Sequence, residues 1–335
     1  MSPIFMIGTQ RSGSNLLRLM LNQLNDIASP HPPHILERMY PLIDVYGDLT
    51  KTENIETLVN DVCRLVELNP VKWNDVNLDR NDIVSRLKDR SLLSVYEVIY
   101  DLYAESQGAS TWCCKSLSNI KYISEIREHF DNPKFIYLYR DGRDVALSFQ
   151  KAVVGEKHIY NIAKEWSETQ KIALDLKKSI SDKYLHFVSY EDLTQNPEDT
   201  ARSLCEFLGA DYVPEMFDFY KTDEAKNAAQ SSELWGNVTN PIIKNNSKKY
   251  RDEMTFNNIF MFESIAGHIM DELGYSRDIV LKGNEKTYSD EDIRLFTDQN
   301  LQMKLDKQSN VDIEDKERRE KQSSLLNEIK SRIVA

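Results

Sequence analysis

The fold turns on one stretch, PIFMIGTQRSGSNLLRLMLNQL, residues 3–24. Ile4 to Ile7 is a short unbroken apolar run, the pattern of a strand buried on both faces. A Gly/Ser-rich turn follows, and then Leu16, Leu17, Met20, Leu21 and Leu24 recur at helical spacing. Strand, glycine turn and helix in that order open an α/β domain. Gly8 and Gly13 stand in the G-x-x-x-x-G relation of a nucleotide P-loop, a motif that continues with Lys and Ser/Thr. Here Ser14 and Asn15 follow. The lysine that reaches β- and γ-phosphates is absent, and Asn15 stands where a Mg²⁺-binding hydroxyl would be. A basic side chain lies inside the loop instead, at Arg11. The backbone amides of Ser12 to Asn15, at a helix N-terminus, still form a nest for an anion. The loop keeps its phosphate cradle and loses its metal site.

Outward from this unit, the 335-residue chain is 41% hydrophobic and 10% aromatic, which excludes global disorder. Its net charge of −12 argues against broad nucleic-acid or anionic-membrane binding, so an anionic ligand must meet a local basic cluster. No run of 18 apolar residues predicts a membrane span, and the N-terminus lacks a signal-peptide pattern. Cys63, Cys113, Cys114 and Cys205 show neither CxxC nor framework spacing, and the six histidines are scattered. A reduced, cytoplasmic protein without zinc or any other metal is expected.

KFIYLYRDGRDVALSF, residues 134–149, supplies a second core strand, Lys134 to Tyr139, a turn at Asp141–Gly142 and a helix from Asp144. YLHFVSYEDL, Tyr184 to Leu193, reads as a third strand. A turn at Asn196–Pro197 and a helix from about Glu198 to Leu208 follow, with Gly209 as C-cap. Strands separated by helices imply a parallel sheet with right-handed crossovers. After PHPPH (Pro30 to His34), Ile35 to Tyr46 restarts a short helix. Residues 54–107 read as polar amphipathic helices, an insertion beside the core. From about Lys282 the chain turns polar and charged, with Ile313, Leu325, Leu326, Ile329 and Ile333 spaced out. This predicts a helical C-terminal extension, a solvated tail or one packing on the body, with a homodimer coil as the alternative. The expected architecture is a three-layer, P-loop-like α/β fold with a central parallel sheet flanked by helices. Residues 1–280 would form the domain and 281–335 the extension.

Arg140 sits at a strand end, where ligands collect in such folds, and Ser148 lies two helical turns on. Arg143 and Asp144 are expected to form surface ion pairs of little consequence. A sulfuryl group fits a metal-free loop, because it carries less negative charge than a γ-phosphoryl and repels a nucleophile less. Arginine and amides could then stabilise charge building on the leaving phosphate.

The chain resembles the sulfotransferases that use 3′-phosphoadenosine-5′-phosphosulfate (PAPS). GTQRSGSNLL resembles their 5′-phosphosulfate loop, YLYRDGRDVALSF their 3′-phosphate motif, and VSYEDLTQNPEDTARSLCEFLG the stretch downstream. With KKYRDEMT and LGY near residue 275, the resemblance covers about Pro3 to Tyr275. It implies that Arg11, Ser12, Gly13, Ser14 and Asn15 wrap the 5′-phosphosulfate, that Arg140 and Ser148 hold the 3′-phosphate, and that Tyr190 lies near the adenine. Lys244, Lys248 and Lys249 are candidates for a late basic contact to the 3′-phosphate.

In TWCCKSLSN, Lys115 matches the family's lysine before the 3′-phosphate motif and could steady the sulfuryl or bridging oxygens. The histidine that often follows is replaced by Ser116, Leu117 and Ser118. The base must come from elsewhere. Glu37 in HPPHILERMY is the first candidate and His34 the second; Cys113 and Cys114 read as core cysteines. The predicted activity is metal-independent, in-line sulfuryl transfer to a hydroxyl or amine of a small-molecule, glycan, lipid or peptide acceptor. A P-loop kinase or NTPase, contradicted by Ser14–Asn15, and a non-catalytic nucleotide-binding scaffold are the alternatives.

Overall fold

The computed structural model describes residues 2–231, 233–309 and 313–332. Five strands form one sheet: β1 (Ile4–Gly8), β2 (Ile27–Ala28), β3 (Thr111–Cys114), β4 (Lys134–Tyr139) and β5 (Leu185–Ser189). Their order is β2-β3-β1-β4-β5 and every neighbouring pair is parallel. The α/β class and the parallel sheet expected from the sequence are the observed ones. β1 is central, with Ile4 opposite Cys113 on one side and Lys134 on the other. Alternate residues of β1 enter different cores: Phe5 and Ile7 one, Ile4 and Met6 the other. β4 repeats this with Phe135 and Tyr137 against Ile136 and Leu138. A strand covered on both faces needs no polar alternation, hence the unbroken apolar run.

The layer over Ile4 and Met6 is built from α1 (Ser14–Leu21), α9 (Tyr190–Gln195), α10 (Pro197–Leu208) and α11 (Asp223–Ser231). The opposite layer holds α2 (Ile35–Met39), α3 (Thr52–Glu67), α4 (Arg80–Arg86), α5 (Leu92–Ser106) and α6 (Ile123–His129). Tyr96 and Tyr100 of α5 share a core with Phe5 and Trp112, so the segment read as an insertion is continuous with the sheet's own packing. α8 (Ile159–Ser179) joins that layer. It also forms a third cluster with α7 (Gly142–Lys151), α12 (Tyr250–Glu253) and α13 (Phe256–Glu272).

Three boundaries differ from expectation. α7 starts at Gly142 rather than Asp144, because the Asp141 carboxylate accepts from Arg143 N and caps it. β5 ends at Ser189: its Oγ accepts from Asp192 N at 3.0 Å, so Tyr190 to Leu193 begin a helix instead of prolonging a strand. Ile35 to Tyr46 divides into α2 and a 3₁₀ segment, Tyr40–Tyr46, at Pro41. Beyond the core, α14 (Asp290–Ser309) packs on α8, and α15 (Ile313–Ser331) buries Leu325 and Ile329 in the chain's own core. Ile333 lies outside the described residues. Among the described residues no helix is long and apolar enough to cross a membrane.

Candidate active site

The loop after β1 is shaped by two glycines. A Cβ on Gly8 would lie 2.2 Å from the carbonyl oxygen of Leu138, and one on Gly13, at φ +90°, would lie 2.5 Å from the Tyr190 ring. Glycine alone fits either place. Arg11 holds a left-handed conformation (φ 70°), which costs a non-glycine residue energy and marks a constrained turn. That turn lets its guanidinium Nε donate to Ser148 Oγ at 2.9 Å, across from α7. Gly13 precedes α1 without a side-chain cap, so the first amides of the helix face the loop with no intrahelical partner.

Arg140, one residue past β4, closes the other side. Its Nη1 donates to Arg11 O at 3.2 Å, its Nη2 to Asn246 O at 2.6 Å, and its guanidinium lies 4.1 Å over the Tyr190 ring. Asn246 Nδ2 donates to Tyr190 Oη at 2.6 Å. Loop, strand end and the late segment near residue 246 therefore meet on one tyrosine. The Tyr190 ring backs Gly13 and supports Arg140. Asn246 carries no local signal: it is 106 residues from Arg140 and belongs to no motif.

These groups line a cavity of about 670 Å³ that also contains Ser14, Asn15, His34, Glu37, Lys115 and Ser148. Ser12 lies just beneath the surface, with its hydroxyl buried. Of the three late lysines, Lys249 lines the cavity; Lys248 does not, its backbone amide donating to Asp144 Oδ2 at 2.6 Å. Arg38 is a cavity residue that motif reasoning missed.

Lys115 follows β3, is 7% exposed, and donates to Asn15 Oδ1 at 2.8 Å. Burial, then the Arg18 charge, brings its pKa from 10.5 to about 7. Asn15, where a metal-binding hydroxyl would stand in a P-loop, thus orients an ammonium. At the same end, His34 Nδ1 is 2.8 Å from Ser116 Oγ and 3.4 Å from Glu37 Oε2, and Ser118 Oγ donates to Glu37 Oε2 at 2.8 Å. The serines that replace the expected histidine therefore hold the His34–Glu37 pair. Burial, then the charges of Arg38 and Lys115, push the His34 pKa well below its ordinary 6.5, so the ring is neutral at pH 7.

The surface role expected for Arg143 and Asp144 is overturned. Arg143 is fully buried, donates to Asp141 Oδ2 at 2.7 Å and Glu263 Oε1 at 2.6 Å, and stacks 4.0 Å from the Tyr250 ring. Asp144, also buried, accepts from the amides of Lys248 and Tyr250. Both residues tie α7 to α12 and α13, a contact made between segments more than 100 residues apart and therefore silent in the local pattern.

A profile of the sulfotransferase family matches residues 3–214, the segment that supplies β1, Lys115, Arg140 and Ser148. The chain belongs to the sulfotransferase family. The fold of the chain is similar to that of the sulfotransferase domain from the curacin biosynthetic pathway: TM-score 0.60, 21% identity, covering 83% of this chain and 99% of that one. It is also similar to the sulfotransferase domain of the Synechococcus PCC 7002 olefin synthase: TM-score 0.51, 22% identity, covering 79% and 94%. In sequence, it is 22% identical over 210 residues to protein-tyrosine sulfotransferase A of Caenorhabditis elegans, covering 61% of this chain and 49% of that protein. The chain spans between 30% and 54% of the length of the curated relatives it matches.

Proposed function

We propose that this sulfotransferase moves a sulfuryl group from PAPS to a hydroxyl or amine acceptor. The observation that carries the reading is a set of cradle groups that the protein itself does not satisfy. Arg140 Nε and Ser12 Oγ are buried and without a hydrogen-bond partner; Arg140 lines the cavity, and Ser12 belongs to the loop that borders it. Orphaned buried donors cost about 1–3 kcal/mol each, a cost that a bound phosphate oxygen would remove. Arg11, Arg140 and Lys249 give the nest the positive charge a twice-phosphorylated donor requires. The residues fit the group.

In this reading Arg11, the amides of Ser12 to Asn15 and Lys115 bind the 5′-phosphosulfate. Arg140, Ser148 and Lys249 hold the 3′-phosphate. The acceptor oxygen attacks sulfur as the bond from sulfur to the bridging phosphate oxygen breaks, and 3′,5′-ADP leaves. Lys115, already hydrogen-bonded to Asn15, stabilises the charge that builds on that leaving oxygen. Glu37 takes the acceptor proton, with neutral His34 beside it to steady the carboxylate. Acceptors stay open within the glycan, lipid, small-alcohol and peptide classes.

Calorimetry without magnesium tests the donor assignment. A charge-assisted contact contributes about 1.5–3 kcal/mol, so 3′,5′-ADP should bind about 10- to 150-fold more tightly than ADP. Equal affinities would remove the role given to Arg140.

A further inference from the structure

One side chain each from α14 and α15 holds a segment that lines the cleft. Loop 152–158, after α7, places Val154 in one wall. The loop wraps a buried ammonium: Lys157 Nζ donates to the carbonyl oxygens of Phe149 at 3.0 Å, Val154 at 2.6 Å and Gly155 at 2.9 Å. From outside, Asn300 of α14 fixes it, accepting on Oδ1 from the amides of Lys157 at 2.8 Å and His158 at 3.0 Å. The other end of that amide donates to Glu156, which Lys304 also pairs. Another wall is α2, which carries Glu37 and Arg38. There Gln322 of α15 accepts from Arg38 Nη1 and donates to Leu65 O at 2.8 Å. Both amides are nearly inaccessible, Asn300 at 6% and Gln322 at 3% exposed. α15 already has anchors of its own, in buried Leu325 and Ile329 and in the Arg64–Glu328 pair. A buried amide satisfied at both ends, one of them on a cleft residue, adds placement to that anchoring.

We infer that the C-terminal helices brace the cleft at two points, with Asn300 positioning the wall of Val154 and Gln322 positioning the turn of His34, Glu37 and Arg38. The inference rests on the sulfuryl-transfer reading of this cleft. It makes acceptor-side geometry depend on residues beyond the 3–214 segment that the family profile covers. The test uses full-length Gln322→Leu, Gln322→Glu and Asn300→Ala with saturating 3′,5′-ADP, read by hydrogen–deuterium exchange. Gln322→Leu should speed exchange in residues 34–46 at least tenfold and leave 152–158 unchanged, and Asn300→Ala should do the reverse. Gln322→Glu, which keeps an oxygen for Arg38 but loses the donor to Leu65 O, should slow exchange at 34–46 relative to Gln322→Leu without reaching the wild-type rate. Transfer to the best of 4-nitrophenol, 2-naphthol and N-acetylglucosamine should show acceptor KM raised at least fivefold in Gln322→Leu, with donor KM unchanged. Unaltered exchange at both walls, uniform loosening of the chain, or equal change in both KM values overturns the brace. A wild-type protein that fails to bind 3′,5′-ADP refutes the donor reading instead, while the exchange pattern still decides the brace.

Discussion

Lys115 should take up a proton when the nucleotide binds. Its ammonium is buried and bonded to a neutral amide, Asn15, which leaves the pKa near 7 in the free protein. A phosphate beside it would bring the pKa back toward the ordinary value of 10.5. The folded pKa lies below the unfolded one, so the free protein has released this proton in the interval from pH 7 to pH 10.5. Stability from this group therefore rises with pH across that interval, and binding there recaptures the proton. At pH 8 the free ammonium would be about one-tenth occupied, and binding of 3′,5′-ADP should take up about 0.9 proton; at pH 6 the uptake should fall to about 0.1. The ligand itself adds little at pH 8, well above the second phosphate pKa of about 6. Affinity should weaken by up to about tenfold per pH unit above 7. Calorimetry in buffers of different ionisation enthalpy measures the uptake, and Lys115→Met should abolish it at pH 8 with the circular dichroism spectrum intact. Equal uptake in the variant and the wild type, or none in the wild type, refutes the coupling.

Gly13→Ala forces a Cβ at φ +90° against the Tyr190 ring, and should lower stability by about 1–3 kcal/mol and weaken 3′,5′-ADP binding more than tenfold; an unchanged Kd and melting temperature would show that the loop tolerates a side chain. Arg143→Met strands the Asp141 and Glu263 carboxylates, both buried, and should cost about 3–5 kcal/mol in denaturant unfolding. A loss below about 1 kcal/mol would mean that those carboxylates find other partners. Glu37→Gln should reduce kcat about 10²- to 10⁴-fold at constant 3′,5′-ADP affinity. Retained turnover would move the base to His34, which His34→Asn then tests.

The strands and the glycine loop after β1 were legible because local rules govern them. An apolar run covered on both faces, glycines at positive φ and a helix start that leaves amides free all write themselves into consecutive residues. The same holds for Arg140 and Ser148, set by a strand end and a helical spacing. Elsewhere a local rule was present but read too weakly, as at Ser189 and Asp192, whose capping pair ends β5 and starts α9.

What the chain order cannot encode is which distant groups share one low-dielectric space. Arg143 resembles any other arginine in a charged turn until Glu263 and Tyr250 arrive from the far end of the chain and bury it. Likewise Lys115 owes its lowered pKa first to burial and then to the charges of Arg18 and Arg11, and Asn246 reaches Tyr190 only once the sheet has brought residues 190 and 246 together. Backbone conformation answers to neighbours within a few residues, so sequence determined the elements and the loop after β1. Charge and burial answer to everything within several ångströms in space, so only the tertiary structure decided which cations are structural and which face the cleft.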